Sequence, residues 1–116
     1  MSKKKHDAAA FAKAVARIAA DTRCSQVVVL DVRGLSPVTD FFVIGTGTSS
    51  RQMRTVADAI EEYGIQQGSK ALNRSDDDHW ILLDYVDVVL HVFSEEARHF
   101  YDLESLWGEA KRVNWK

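Results

Sequence analysis

Apolar residues recur at helical spacing near the start of the chain. Phe11, Val15 and Ile18 fall on one face of a helix in which each residue turns by about 100°. Asp7 stands just before this stretch, where a carboxylate can accept hydrogen bonds from the first free amides. The pattern therefore predicts a first helix that begins after Asp7.

Two apolar runs after this helix are typical of buried strands. Residues 25–33 contain four valines and a leucine, and the turn-forming residues Gly34, Ser36 and Pro37 follow. Residues 40–45 form a second run. The short connection between the two runs favours antiparallel pairing.

A polar segment, residues 46–50, ends the second strand and opens a second helix. Ser49 is placed to cap this helix, and Gln52, three residues later, completes a capping box. Gly64 and Gly68 are predicted to end it. Its inward face is predicted to consist of Met53, Val56, Ala57 and Ile60.

The last part of the chain predicts strands followed by a helix. A short strand at residues 70–73 precedes a polar loop at residues 73–78. Residues 79–85 and 87–93 are strands too close in sequence for a helical crossover, so we expect a hairpin. A third helix is predicted over residues 95–107.

These elements predict an α/β fold of the α+β type. We expect one mixed sheet of about five strands with helices mainly on one face, and a single domain over residues 1–116. Residues 1–6, which include three lysines, are predicted to be a flexible basic extension. Because an antiparallel-rich sheet can leave one face open, a partner is expected to bind there.

Composition narrows the function classes. The 116 residues carry a formal net charge of −2, which disfavours a dedicated binder of DNA or RNA. Cys24 is the sole cysteine, so a disulfide framework or a thiolate zinc site is excluded and a cytoplasmic location is expected. The N-terminal residues lack the apolar core of a signal peptide, and no apolar run reaches membrane-spanning length.

Residues 45–50 offer a candidate phosphate site, because glycines and free amides at a helix start favour an anion. The segment lacks the P-loop lysine and the full dinucleotide pattern, so a capped helix after a tight turn is the better interpretation.

Carboxylates and one histidine offer further candidates. Residues 76–78 are three aspartates without calcium-loop spacing, and Asp84, Asp87 and Asp40 lack the spacing of a two-metal transferase site. His91 lies in an apolar strand with no nucleophile motif nearby, so it is predicted to be a packed core histidine. We predict no catalytic residues, no metal and no cofactor.

The strand at residues 79–85 is apolar on both faces. Alternation places Trp80, Leu82 and Asp84 on one face and the remaining apolar residues, Ile81, Leu83 and Tyr85, on the other. Either a partner covers one of these faces, or the whole strand is buried inside the protein.

The third helix bears on that choice. Phe100, Leu103 and Trp107 share one face, while Tyr101 falls off it together with Arg98. Tyr101 is therefore predicted to project outward, where together with Trp80 and Tyr85 it could anchor a partner. The alternative is a lone surface tyrosine.

Two long segments of the chain resemble the ribosomal silencing factor (Iojap-related) family. They are VVVLDVRGLSPVTDFFVIGTGTSSRQMRTVADAI, residues 27–60, and DHWILLDYVDVVLHVFSEEARHFYDLESLW, residues 78–107. The resemblance covers most of the chain, and both segments are specific.

The resemblance implies a nucleotidyltransferase-like fold without the active site, and a non-enzymatic translational repressor. Such a protein binds the large ribosomal subunit through its ribosomal protein fourteen and blocks association with the small subunit when nutrients are limiting. It also implies a homodimer when free. The motif match implies a contact surface comprising Trp80, Asp84, Tyr85 and Tyr101, with Arg98 and Glu104 at its rim.

Two other classes stay open from the residues alone. One is a nucleotidyltransferase-like enzyme that uses Asp84, Asp87 and the turn at residues 46–50. The other is an RNA-binding module that uses the basic residues Lys3, Lys4, Lys5, Arg51 and Arg54. Whether the lysine-rich start contacts ribosomal RNA also stays open.

Overall fold

The computed structural model describes residues 7–116, so the predicted flexibility of residues 1–6 lies outside the described residues. The helices are α1 (Ala8–Asp21), α2 (Ser50–Gln66), α3 (Glu95–Tyr101) and the single turn α4 (Leu103–Leu106). The strands are β1 (Ser25–Asp31), β2 (Phe41–Thr46), β3 (Asn73–Asp76), β4 (Trp80–Asp84), β5 (Val88–Phe93) and β6 (Lys111–Arg112).

The strands form one mixed sheet in the order β3-β4-β5-β2-β1-β6. β2 and β5 run parallel, and α2 lies in the connection between them, as a parallel pair requires. Every other neighbouring pair is antiparallel, including the predicted pairs β1–β2 and β4–β5. The predicted mixed α/β fold is confirmed, with six strands in place of about five.

The two long helices cover one face of the sheet. Phe11 and Val15 of α1, together with Met53 and Ile60 of α2, pack against inward-facing residues of β1, β2, β4 and β5. Burying these apolar side chains is the main stabilising term of the fold. The other face is covered only in part, by α3, α4 and the segment after them.

Both predicted helix caps are present. The Asp7 side chain accepts hydrogen bonds from the amides of Ala9 and Ala10, and Ser49 accepts one from Gln52. In turn, Oε1 of the Gln52 side chain accepts a hydrogen bond from the amide of Thr48. The reciprocal capping pair therefore reaches one residue further back than a standard capping box.

The sequence predicts a loop at residues 73–78, and that prediction is wrong for the first four residues. Asn73–Asp76 pairs antiparallel with β4 and forms the edge of the sheet, whereas the strand predicted at residues 70–73 is absent. Polar residues are stable here because an edge strand faces water, and because Arg74 forms ion pairs with Asp58, Glu61 and Asp76.

The predicted third helix is broken. Asp102 adopts a left-handed conformation with φ +46°, which separates α3 from α4. β6 pairs with β1 at the far edge of the sheet. The sequence does not predict this strand, because two residues are too few to show the alternation of apolar and polar side chains that marks a strand. None of the helices in residues 7–116 has the length and hydropathy needed to cross a bilayer.

Candidate functional site

The incompletely covered face of the sheet carries an aromatic cluster at one end of β4. The alternation predicted for this strand is confirmed: Ile81 and Leu83 are fully buried beneath the helices, while Trp80 and Leu82 are half-buried on the other face. The helix layer thus covers one apolar face of β4 and leaves the other partly open.

Trp80, Phe100 and Tyr101 form the exposed part of this cluster, which we call the aromatic platform. The ring centroids of Trp80 and Tyr101 are 4.6 Å apart, and Phe100 meets Tyr101 edge-on at 5.0 Å. Phe93 lies beneath, 5.0 Å from the Trp80 ring. Tyr101 is 46% exposed and Phe100 is 76% exposed, so a partner could bury substantial aromatic surface here.

The sequence predicts that Phe100 shares a face of the third helix with Leu103 and Trp107, and that prediction is wrong. The shared face requires one continuous helix through Trp107, whereas the helix is broken at Asp102. Leu103 and Trp107 still pack against the sheet, but α3 alone places Phe100 in solvent. Tyr101 is exposed as predicted, although one side of its ring rests on Trp80.

The orientation of Trp80 is fixed from below by His91. The indole Nε1–H of Trp80 donates a hydrogen bond to Nδ1 of His91 over 3.1 Å. His91 is only 6% exposed, and burial lowers its pKa to about 4. The imidazole is therefore neutral at physiological pH, in agreement with the predicted packed histidine.

Two shallow depressions adjoin the platform. One, of about 340 Å³, lies beside Trp80, Leu82 and Tyr101, and its polar wall includes Asp77. The other, of about 550 Å³, lies beside Phe100 and is bordered by Asp77 and Glu96 together with two histidines, His79 and His99. Carboxylates therefore flank an apolar surface.

Asp84 shares the outer face of β4 with Trp80, but four residues along an extended strand separate the two by roughly 13 Å. One carboxylate oxygen of Asp84 accepts a hydrogen bond from the amide nitrogen of Val86 over 2.8 Å. Asp84 therefore stabilises the β4–β5 turn and lies at the far margin of the platform.

Tyr85, by contrast, is 6% exposed and belongs to the core beneath the helices. Its ring meets Phe11 edge-on at 4.9 Å, and burial, with a smaller effect from Glu61, raises its pKa to about 12. Tyr85 continues the inward set of β4, as the alternation indicated. The structure does not bring it to the surface that the motif match implied.

Arg98 and Glu104 form an internal ion pair and not an open rim. Arg98 is 8% exposed, and two of its guanidinium nitrogens donate to Glu104 at 2.9 and 2.8 Å. A third donates to Thr46 Oγ1 at 2.9 Å. The hydrogen bonds from Arg98 hold the pKa of Glu104 below its usual range. Together with the bond to Thr46 they join α3 to α4 and the sheet.

The turn at residues 46–50 is poorly suited to phosphate. An anion would need the free amides of Thr48 and Gln52. The Thr48 amide already donates a hydrogen bond to the Gln52 side chain, and the Gln52 amide donates one to the Ser49 side chain. The adjoining cleft is also lined by Asp78, Glu95 and Glu96, whose charge repels a phosphate.

Among the basic residues predicted for an RNA-binding module, Lys3, Lys4 and Lys5 lie outside the described residues. Arg54 forms ion pairs with Asp76 and Asp78, which reduces the charge it could offer to RNA. Within residues 7–116, no three histidine, cysteine or carboxylate side chains are grouped so that they could hold a metal ion.

Comparison with known proteins adds an independent finding. A family model described as "Ribosomal silencing factor during starvation" matches residues 5–116. A ribosomal silencing factor of Bacillus subtilis is 40% identical over 106 residues, covering 84% of this chain and 88% of that protein. The chloroplastic protein Iojap of Zea mays is 36% identical over 104 residues, covering 89% of this chain and 46% of that protein.

A solved structure also matches the fold. The crystal structure of a protein from Chromobacterium violaceum superposes with a TM-score of 0.84 at 26% identity, covering 89% of this chain and 88% of that one.

Proposed function

Because this chain belongs to the ribosomal silencing factor family, we propose that it binds the large ribosomal subunit through ribosomal protein fourteen and sterically blocks association with the small subunit. The proposal places this action chiefly under nutrient limitation, as the family description indicates. The mechanism requires only that the bound protein occupies a surface needed for subunit joining. It requires no catalysed reaction.

The observation that carries the proposal is the exposed aromatic platform. Trp80 and Tyr101 are rigid aromatic side chains in mutual contact, and Tyr101, which is 46% exposed, has a hydroxyl that can reach a partner. Such residues dominate the binding energy of protein interfaces when they are enclosed by a partner. Phe100 enlarges the platform on the α3 side.

The charge around the platform favours a basic partner. Asp77 and Glu96 border the depressions beside it, and Asp84 lies further along the same face. Ribosomal proteins that contact RNA are commonly basic, so these carboxylates would speed and orient the encounter. The acidic residues of the cleft at residues 46–50 argue in the same direction, against a phosphate backbone as the ligand.

The test is co-sedimentation with purified large subunits. We expect the double variant Trp80→Ala, Tyr101→Ala to lose binding, because removing even one such anchor commonly costs about 2 kcal/mol, roughly thirtyfold in affinity. Subunit-joining assays with the same variant should show no inhibition. Unchanged circular dichroism would establish that the variant is folded.

Leu106→Ala is the matched control, because Leu106 is 72% exposed but lies on α4, outside the platform. This variant should bind as the wild type does. Full binding by the double variant, or equal loss in the control, would show that the platform is not the contact surface.

We further propose that the free protein is a homodimer. Within residues 7–116, the edge strand β3 pairs on one side only, and its exposed residues leave the other side accessible to a second copy. Sedimentation equilibrium at micromolar concentration would reveal a monomer if this proposal is wrong.

A further inference from the structure

A buried histidine lies directly beneath the aromatic platform, where an apolar residue would pack with less cost. His91 stands on β5 opposite Leu82, and its ring lies between the rings of Phe42, 5.2 Å away, and Phe93, 5.9 Å away. Every one of these neighbours is apolar. A polar ring in such surroundings has to be explained by something it contacts.

The contact is the indole of Trp80. An indole nitrogen can only donate, so Nδ1 of His91 must accept and the ring proton must lie on Nε2. Nε2 is buried and has no hydrogen-bond partner in the described part of the chain. Burying an unsatisfied donor is unfavourable, so the stability of the fold does not account for a histidine here.

We propose that His91 is a positioning residue, which holds the Trp80 indole in the orientation that the aromatic platform presents to its partner. This inference rests on the proposed function. It assigns the contact role to Trp80 and Tyr101, and it gives His91 an effect only through the Trp80 Nε1–H.

The geometry explains why orientation matters. Trp80 is half-buried, and its ring contacts Tyr101 at 4.6 Å and Phe93 at 5.0 Å. A tryptophan fixed before binding loses less side-chain freedom when the partner arrives. Without the hydrogen bond, the outer half of the indole can leave this position, and Tyr101 loses the surface on which it rests.

The protonation state of His91 supports the same role. Burial lowers the pKa of His91 to about 4, so Nδ1 keeps its lone pair throughout the physiological range. The acceptor is therefore always available to the indole.

The experiment is a double-mutant cycle on binding to purified large subunits. His91→Leu keeps an apolar filling but removes the acceptor, and Trp80→Phe keeps an aromatic ring but removes the donor. We expect His91→Leu to weaken binding by about three- to tenfold in the wild-type background, which corresponds to the freedom of one side chain. In the Trp80→Phe background it should cause no further loss.

His91→Asn tests rescue, because its side-chain oxygen falls near the position of Nδ1; we expect it to bind within about twofold of the wild type. The indole ¹⁵N–¹H resonance of Trp80, assigned by its absence from Trp80→Phe, should exchange slowly with solvent in the wild type and rapidly in His91→Leu. If His91→Leu does not fold, His91→Met replaces it in the cycle.

Equal losses in both backgrounds, wild-type affinity in His91→Leu, or rapid exchange of the wild-type indole would each overturn the inference while leaving the proposed function intact. Failure of the wild-type protein to bind large subunits would overturn the proposed function and this inference together.

Discussion

At the scale of single residues, the β4–β5 turn contains a strained side chain. Val86 adopts φ +77°, and the amide of Asp87 donates back to the carbonyl of Tyr85 at 2.9 Å, which closes a three-residue turn. Positive φ is unfavourable for any side chain and most of all for a β-branched one. Val86 is also 56% exposed, so packing compensates little of this strain.

Replacing Val86 with glycine should therefore stabilise the protein. Relief of the left-handed strain, about 1–2 kcal/mol, exceeds the added flexibility of the unfolded chain, about 0.5–1 kcal/mol. We expect the free energy of unfolding, measured by urea denaturation, to rise by roughly 1 kcal/mol. Val38→Gly is the control, since Val38 is 75% exposed and its φ is not positive. A decrease in both variants would contradict the assignment of strain to Val86.

At the scale of elements, the junction between α2 and the sheet depends on Gly64. The sequence predicted that this glycine ends the helix, but α2 continues through it to Gln66. A Cβ atom at Gly64 would lie 2.8 Å from the backbone oxygen of Ser69 and 3.1 Å from the Tyr85 hydroxyl. The glycine is required because the chain beyond α2 folds back against the helix.

Gly64→Ala tests this explanation through the sign of its effect. Helix propensity alone predicts stabilisation by about 1 kcal/mol, whereas collision with a backbone oxygen predicts destabilisation by about 1–3 kcal/mol. We expect the midpoint of thermal unfolding to fall. Glu62→Ala, an exposed change on the same helix, should leave it nearly unchanged. A rise in the midpoint of Gly64→Ala would mean that the helix end can shift to accept the methyl group.

Elements with long periodic patterns could be predicted from the sequence, and short or polar ones could not. The apolar faces of α1 and α2 and the alternation in β4 follow directly from residue spacing. β3 is stabilised by ion pairs between Arg74 and α2. Such contacts join residues far apart in sequence, so a local sequence pattern cannot predict them.

The same distinction holds for the candidate site. Trp80 and Tyr101 could be identified from strand and helix periodicity, but the exposure of Phe100 depends on the break at Asp102. Likewise, the burial of Arg98 depends on its pairing with Glu104 across that break. The hydrogen bond between Trp80 and His91 crosses two strands, so only the register of the sheet reveals it.

At the scale of the whole molecule, the shifted pKa values set a range of pH in which the fold is most stable. Burial lowers the pKa of His91 and raises the pKa of Cys24 to about 11 and of Tyr85 to about 12. All three groups are neutral in the folded protein near pH 7–8, and unfolding there changes none of their charges appreciably. Stability should therefore be greatest in this range.

Stability should fall on both sides of that range. Below pH 6.5, His91 in the unfolded chain binds a proton, whereas His91 in the folded protein binds one only near pH 4. The free energy of unfolding therefore falls by up to roughly 3 kcal/mol as the pH is lowered through this interval. Further acidification removes the contributions of Asp31, Asp76 and Glu104, whose hydrogen bonds to arginines hold their pKa values below the usual range. Above pH 9, unfolded Cys24 and then Tyr85 release protons that the folded state retains, and stability declines again.

Urea denaturation of the wild type and of His91→Leu at pH 7.5, 6, 5 and 4.5 separates the histidine from the carboxylates. The wild type should lose stability steadily across this series, while His91→Leu should lose much less, because it lacks the one group whose folded pKa lies near 4 and whose unfolded pKa lies near 6.5. Parallel curves for the two proteins would mean that His91 is protonated equally in the folded and unfolded states. In that case the imidazole would have to be accessible to water, which the close packing of Phe42, Trp80 and Phe93 around it opposes.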